Sequence, residues 1–513
     1  KSDSARIFAY LPEERVNLLL CSLACVSCWI LLSAMLITGC SAPTDPVEPT
    51  ESWAAEEVGS FEAENGTFTG GAYAEDGFAT GFTADGDSCT VTVEVAETGF
   101  YDLEFLIRAQ GGYKENYISL DGSRIGFVSA DGQGFQRSRL RRIYMEAGSH
   151  TVTFEKYWGY TDFDKVILLT TEPFDESIFE VSAKLVNGNA TDNAKRLFSY
   201  LCDSYGKYIL SGQHCDSGLN GWENMKIAEN NGGKFPAILG LDVGYYSQTG
   251  IDHGADIATT EQAITGWEKG GIVTLCWHWL APEKYITGTW YSAFRPEHVN
   301  MNLTKIMNGE DEEGMALLKQ DIDNVAQELL KMQEAGVPVL WRPLHEASGG
   351  WFWWGAEGAE TYKKLYILLY DTLTNEYGLN NLIWLWNGQD GEWYPGDEYV
   401  DIVGIDIYAG EHAYGSQIEQ FLTNLSYSNG KKMVVLSENG TMIDPDLAVR
   451  DRAMWGFFCT WSGEFVMTDG LRKSYSEQYT EIEMLNKVYN SEHVITRDEL
   501  PDLHNYPIRD DAA

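Results

Sequence analysis

Two hydrophobic periods divide the chain. Between about residues 58 and 171, apolar and polar positions alternate. Thr90-Val91-Thr92-Val93-Glu94-Val95 and His150-Thr151-Val152-Thr153-Phe154 each send every second side chain to one face, the pattern of a half-buried strand. Asp121-Gly122 and Asp131-Gly132 mark tight turns between such runs. No helical period interrupts them, so this stretch predicts an all-β unit, most simply a β-sandwich (jelly-roll). From about 192 to 495 the pattern changes. Short apolar runs at 208–210, 236–243, 271–279, 337–346, 381–386, 400–408, 432–438 and 455–461 alternate with amphipathic helices, clearest at 315–335 and 360–377. Strands alternating with helices over this length predict an α/β fold, a (β/α)8 TIM barrel. A doubly wound sheet is the alternative. It usually has fewer strands, and no glycine-rich phosphate loop follows the first run.

The N-terminal 40 residues follow neither period. Lys1, Arg6 and Arg15 precede an apolar, nearly uncharged run, 16–38. A basic start, an apolar core and small residues at its end describe an export signal. Leu36-Ile37-Thr38-Gly39-Cys40 resembles a bacterial lipobox, which implies lipid on Cys40 and a membrane-anchored, exported lipoprotein at the cell surface or in the periplasm. A single membrane-spanning helix is the other reading of so long a run. Residues 41–57, rich in Pro and acidic side chains, read as a tether. A second linker is expected at 172–191 and a tail at 496–513.

Composition narrows the partners. The 513 residues include 77 Asp plus Glu against 36 Lys plus Arg, a formal net charge of −41. Such a surface repels phosphate backbones, so nucleic acid is excluded as a partner. A neutral polymer suits it. The 17 Trp and 28 Tyr supply flat faces on which pyranose rings stack, although many must serve packing. Cys89, Cys202, Cys215, Cys276 and Cys459 lie scattered through the body without metal-ligand spacing. Their odd number argues against a disulfide framework, so they are expected in the core. A monomer is expected.

Barrel enzymes place catalytic groups at the C-terminal ends of strands. The fourth run, Val337-Pro338-Val339-Leu340-Trp341-Arg342-Pro343-Leu344-His345-Glu346, and the seventh, Met433-Val434-Val435-Leu436-Ser437-Glu438, each deliver a glutamate at the end. Strands four and seven face each other across a barrel mouth. Two facing carboxyl groups are what glycosidic cleavage requires, one protonated as acid and one ionised as nucleophile. Trp351, Phe352, Trp353 and Trp354 follow Glu346 and supply an apolar setting that raises its pKa. Tyr408, ending strand six, can reach Glu438. Arg342 either pairs with a catalytic carboxylate or acts as a buried strut. His345 is either a substrate contact or a hydrogen-bonded structural residue. Trp461, at the end of strand eight, is placed as a sugar floor.

The stretch WRPLHEASGGWFWWG at 341–355, with LSENG at 436–440, Leu210-Ser211-Gly212-Gln213-His214, Trp277-His278-Trp279 and Trp461, resembles glycoside hydrolase family 26. Ala347 and Ser348 depart mildly from the usual pattern. The resemblance implies Glu346 as acid/base and Glu438 as nucleophile. It implies that His278, His345, Trp351 and Tyr408 position the sugar or the carboxylates, and that catalysis needs no cofactor. The implied activity is retaining endo-β-1,4-mannanase, acting on mannan, glucomannan or galactomannan. A β-1,3-1,4-glucanase on the same scaffold and a non-catalytic surface glycan-binding lipoprotein are the alternatives.

Residues 58–171 have their own resemblance. Phe61-Glu62-Ala63-Glu64-Asn65-Gly66 and the run 157–168, with Trp158 and Asp164, are similar to a family 35 carbohydrate-binding module. That implies structural Ca2+ held by Glu62, Glu64 and Asp164, hard oxygen donors, with Glu62 and Glu64 expected on one face of a strand. Trp158 and Tyr113 are candidates for sugar stacking.

Overall fold

The computed structural model describes residues 53–215, 218–255, 258–469 and 473–512. The stretch expected to be an export signal, with Cys40, lies outside the described residues. Among those described, no helix is long and apolar enough to cross a membrane.

Eleven antiparallel strands form the N-terminal sandwich. They are β1 (Glu57–Glu62), β2 (Thr67–Thr69), β3 (Tyr73–Glu75), β4 (Phe78–Thr80), β5 (Ser88–Val95), β6 (Gly99–Ala109), β7 (Lys114–Leu120), β8 (Ser123–Ala130), β9 (Gln136–Met145), β10 (Gly148–Trp158) and β11 (Thr161–Thr170). One sheet runs β3-β4-β11-β6-β9, with β1 also on β11. The other runs β2-β5-β10-β7-β8. The alternation read from the sequence decides the packing: Cys89, Val91, Val93 and Val95 of β5 are buried between the sheets. Phe154 and Phe163, from opposite sheets, stack at 4.7 Å between centroids.

The C-terminal part is a closed parallel barrel of eight strands, β13 to β20, which excludes the doubly wound sheet. The strands are β13 (Gly212–His214), β14 (Ile238–Asp242), β15 (Ile272–Cys276), β16 (Val339–Arg342), β17 (Leu382–Trp386), β18 (Ile402–Ile407), β19 (Met433–Asn439) and β20 (Phe458–Thr460). Most are apolar along their length because both faces are covered. The helix Glu312–Glu334 shows how the outer layer forms. Asp311 caps it by accepting the Gly314 N–H, and Leu318, Ile322, Val325, Leu329 and Met332 are buried at the three-to-four spacing of one helical face.

Two expectations change. The first apolar run, 208–210, is not a barrel stave. Ile209 and Leu210 form a separate strand, β12, paired in parallel with β21 (Val494–Ile495), and β13 follows two residues later. The helix expected at 360–377 is α-helical only over Ala359–Tyr370 and continues as a wider π-turn over Asp371–Glu376. All five body cysteines are buried.

Sandwich and barrel belong to one compact unit. Arg141 of β9 donates to both carboxylate oxygens of Glu419 and to Thr423 on the helix Ile418–Tyr427. Its neighbour Arg142 donates to the Asp451 carbonyl and lies over Phe100 and Phe174.

Candidate active site

Glu346 is not the last residue of its strand. β16 ends at Arg342, and the chain turns through Leu344 and Glu346, both left-handed at φ 54°. Such backbone is costly for residues with a side chain and persists where surroundings impose it. Here the Glu346 N–H donates to the Asn387 carbonyl at 2.7 Å, tying the turn to the end of β17. The two glycines that follow have separate reasons. Gly350 takes φ 70°. A Cβ on Gly349 would stand 2.1 Å from the Trp351 ring. Its absence lets that ring lie back and donate its indole N–H to Glu346 Oε2 at 2.7 Å.

Glu438 reaches the same space from β19. Between β18 and β19 the register shifts. Ile405 pairs with Leu436, and Asp406 pairs with Glu438, so Ser437 is the extra residue of a bulge, a device that re-aims side chains beside active sites. Arg342, buried inside the barrel, donates Nη1 to Asp406 at 2.9 Å and Nη2 to Glu438 Oε1. Tyr408, one residue past β18, donates its hydroxyl to Glu438 Oε2 at 2.6 Å. Asn387 and Ser437 donate to Asp406 Oδ1 at 2.7 and 2.8 Å. One carboxylate oxygen each from Glu346, Asp406 and Glu438 lie within 4.8 Å of one another.

These surroundings separate the two glutamates. Burial, then the charges of Asp406 and Glu438, push Glu346 well above the ordinary carboxyl range. Burial and Asp406 also lift Glu438, to about 7, but Arg342, Tyr408 and His278 oppose the rise. Glu438 has a guanidinium and a phenol in direct contact, and Glu346 has one indole. Glu438 therefore ionises first, and the proton stays on Glu346.

The remaining residues fall around this pair. His278, just past β15, gives Nδ1 to Asp242 Oδ2 at 2.6 Å and meets His345 Nε2 through its own Nε2 at 3.2 Å. His345 is 1 % exposed. Its Nε2 meets His278, and its Nδ1 is buried without a partner. Arg342 pairs with a carboxylate and is a buried strut at once. Trp461 lies 4.7 Å from the His214 ring and 5.7 Å from His278. Tyr113 and Trp158 are far off on the sandwich in sequence and both about half exposed.

The acids expected to hold Ca2+ in the sandwich are only loosely grouped. β1 stops at Glu62, and Glu64 lies in the turn Ala63–Asn65, so the two do not share a strand face. Lys165 bonds Glu62 at 2.8 Å. Burial and the charges of Glu62 and Glu64 raise Asp164, against Lys165, and Glu64 Oε2 is buried without a partner. Among the described residues, these three acids are not one of the clusters whose ligand atoms converge within 4.8 Å. The orphaned Glu64 oxygen and the repulsion that raises Asp164 suit a hard cation, while Glu62 is neutralised by Lys165.

Against known proteins, residues 186–499 match the model of glycosyl hydrolase family 26, and residues 56–171 match carbohydrate binding module family 35. The chain belongs to glycoside hydrolase family 26. It is 35% identical over 452 residues to a mannan endo-1,4-β-mannosidase of Thermothelomyces thermophilus, covering 86% of this chain and 90% of that one. It is 35% identical over 456 residues to mannan endo-1,4-β-mannosidase B of a Piromyces species, covering 86% and 77%. The crystal structure of a family 26 β-(1,4)-mannanase with a family 35 module from Podospora anserina superposes with a TM-score of 0.63 at 33% identity, covering 87% of this chain and 99% of that one.

Several residues of this family 26 site escaped the sequence reading. Asp406 was the most legible of them, a charge inside the apolar run 400–408 two positions before Tyr408. Asp242 carried a similar mark at the end of 236–243. Asn387 and Ser437 gave no signal, because their roles depend on the register of neighbouring strands. Tyr245, Tyr291 and Trp351 are large exposed aromatics on loops that follow barrel strands. Of these, only Trp351 stood out in the sequence.

Proposed function

We propose that this family 26 glycoside hydrolase is an endo-β-1,4-mannanase that cleaves internal bonds of mannan, glucomannan or galactomannan by double displacement. The observation that carries the mechanism is the approach of the Glu346 and Glu438 carboxyl oxygens to within 4.8 Å. Retaining enzymes hold their carboxyl groups about 5–5.5 Å apart, whereas inverting ones leave about 6.5–9.5 Å for a water. Glu438, ionised beside Arg342 and Tyr408, attacks the anomeric carbon. Glu346 gives its proton to the departing glycosidic oxygen, then as carboxylate takes one from the water that releases the sugar. His278 and Trp461 border the reacting ring, and the Trp351 indole orients Glu346. Tyr245 and Tyr291 offer stacking faces further along the chain of sugars. The mannan preference is supported by the relatives' stated activity over most of this chain.

Initial rates on glucomannan, galactomannan, lichenan and xylan, with proton NMR of the first products, test this reading. Mannan-type substrates should lead, and the β-anomer should appear first. A higher kcat/KM on lichenan would make it a β-1,3-1,4-glucanase with the same mechanism, and no turnover on any of them would leave a glycan-binding protein.

The sandwich serves as a carbohydrate-binding module, with Trp158 and Tyr113 as exposed stacking faces and Ca2+ held by Glu62, Glu64 and Asp164. Export and a lipid on Cys40 rest on residues 36–40. Cys40→Ala should move the protein from membrane to soluble fractions or leave it uncleaved, and unchanged maturation and partitioning would dismiss the anchor.

A further inference from the structure

Asp242 closes β14, and its carboxylate accepts three donors: the Gly244 N–H at 2.7 Å, the His278 N–H at 3.2 Å and His278 Nδ1 at 2.6 Å. Backbone and ring of His278 are thus fixed by one side chain. The other ring nitrogen meets His345 Nε2 at 3.2 Å, so the imidazole cannot turn without breaking contacts on both sides. It borders the cleft with 18% of its side chain exposed.

We propose that Asp242 is a positioning residue for hydrolysis, holding His278 as a fixed cation that keeps the Glu438 carboxylate ionised. The charged and titratable groups around His278 come from five strands. Asp242 belongs to β14, Cys276 to β15, Arg342 to β16, His214 to β13 and Glu438 to β19, while His345 follows β16. Cys276 Sγ lies within 4.8 Å of both Asp242 and His278. Burial works against a charge on His278, but Asp242, by charge and by hydrogen bond, and then Glu438 outweigh it and raise the imidazole above its ordinary value, with Arg342 opposing. His345 goes the other way, pushed well down by burial and by Arg342 and His278, and stays neutral. Nδ1 of His345 is buried without a partner whichever nitrogen of that ring holds the proton, so the carboxylate of Asp242 decides which imidazole is charged. His278 in turn is one of the groups that lower Glu438.

The inference rests on Glu438 being the carboxylate that must be ionised. Its test is the pH profile of kcat/KM for Asp242→Asn, Asp242→Glu, His278→Gln and the double variant Asp242→Asn/His278→Gln, with proton NMR titration of the His278 ring in the unmutated protein. Asp242→Asn should raise the acid limb by roughly half a unit to one unit, less than the 1–3 units of a charge in contact. His278→Gln should give the same rise, the double variant no more than either, and Asp242→Glu should return most of it. The His278 ring should stay protonated through pH 7. A uniform loss of kcat with the acid limb unmoved, or a neutral His278 at pH 7, would overturn the proposal. The NMR measurement stands even if the variants fail to fold. Retained turnover in Glu438→Ala would instead sink the reading of Glu438 on which it rests.

Discussion

Asp406 and Glu438 face each other in register on adjacent strands, because Ser437 takes up the extra residue between them. A buried carboxylate this close disfavours a second negative charge, and Asp406 lifts both Glu438 and Glu346. Asp406→Asn removes that charge. Both limbs of the pH profile should therefore move down, by on the order of one unit, with the optimum following. kcat/KM measured from pH 4 to 9 gives the answer, and limbs that stay put or rise would contradict the geometry.

Arg342 is the counterweight, and its removal should act in the opposite sense. Arg342→Met leaves Asp406 and Glu438 buried without their cation. The acid limb should rise, and activity at neutral pH should fall steeply. Breaking a buried ion pair costs about 3–5 kcal/mol. A carboxyl whose folded pKa lies above its unfolded value costs stability as pH rises through that interval. The melting deficit of Arg342→Met should therefore be larger at pH 8 than at pH 5. An equal deficit at both would mean that the loss is one of packing alone.

Much of this arrangement was legible in the residues, for physical reasons. Alternation with period two predicted the sandwich because one face of each of its strands is wet. The barrel runs stood out because both of their faces are covered. Glu346 and Glu438 stood out because charge at the end of an apolar run is costly without a use. What stayed hidden depends on register and on backbone turns. Nothing local says that 209–210 pairs with 494–495 while Gly212 begins the barrel. Nothing local says that the chain turns left-handed at Leu344 and Glu346. The face expected for Glu62 and Glu64 was misread for the same reason, since the strand stops at Glu62 and the chain turns over Ala63–Asn65. Asp406 was visible as a charge in an apolar run, but its facing of Glu438 depends on the bulge at Ser437.

Trp351 tunes the acid through a single hydrogen bond. Its indole lowers the pKa of Glu346, against the larger effects of burial and charge. Trp351→Phe keeps a ring and removes the donor, so Glu346 should hold its proton to still higher pH and the basic limb of kcat/KM should rise. Gly349→Ala should have the same effect by pushing the ring away, since its Cβ would meet that ring at 2.1 Å. If the basic limb falls or stays in both variants, the indole does not act on the acid.

Calcium should appear as stability of the sandwich. A ligand bound only by the folded state adds about 2.7 kcal/mol at a hundredfold excess over its Kd. Calorimetry of the full chain should therefore show lower melting in chelator than in millimolar Ca2+. Glu64→Gln should remove most of that difference. Identical curves, with no metal by elemental analysis, would dismiss the site.

The sharpest expectation concerns the two glutamates together. Both act on one anomeric carbon, but at different moments, so their losses should not look alike. Glu438→Ala removes the nucleophile, and no covalent intermediate can form; turnover should vanish on every substrate. Glu346→Ala removes only the proton donor in the first step. A substrate with a good leaving group needs no such proton, so glycosylation should stay fast while release of the sugar, which needs Glu346 as base, becomes limiting. Pre-steady-state measurement should then show a burst of leaving group. Azide, a nucleophile that needs no base, should accelerate turnover of Glu346→Ala and leave a β-glycosyl azide, while doing nothing for the unmutated enzyme. An α-glycosyl azide from Glu346→Ala, or a β-glycosyl azide from Glu438→Ala, would show that the roles of the pair are exchanged, since azide that replaces a missing nucleophile inverts, whereas azide that intercepts the covalent intermediate retains.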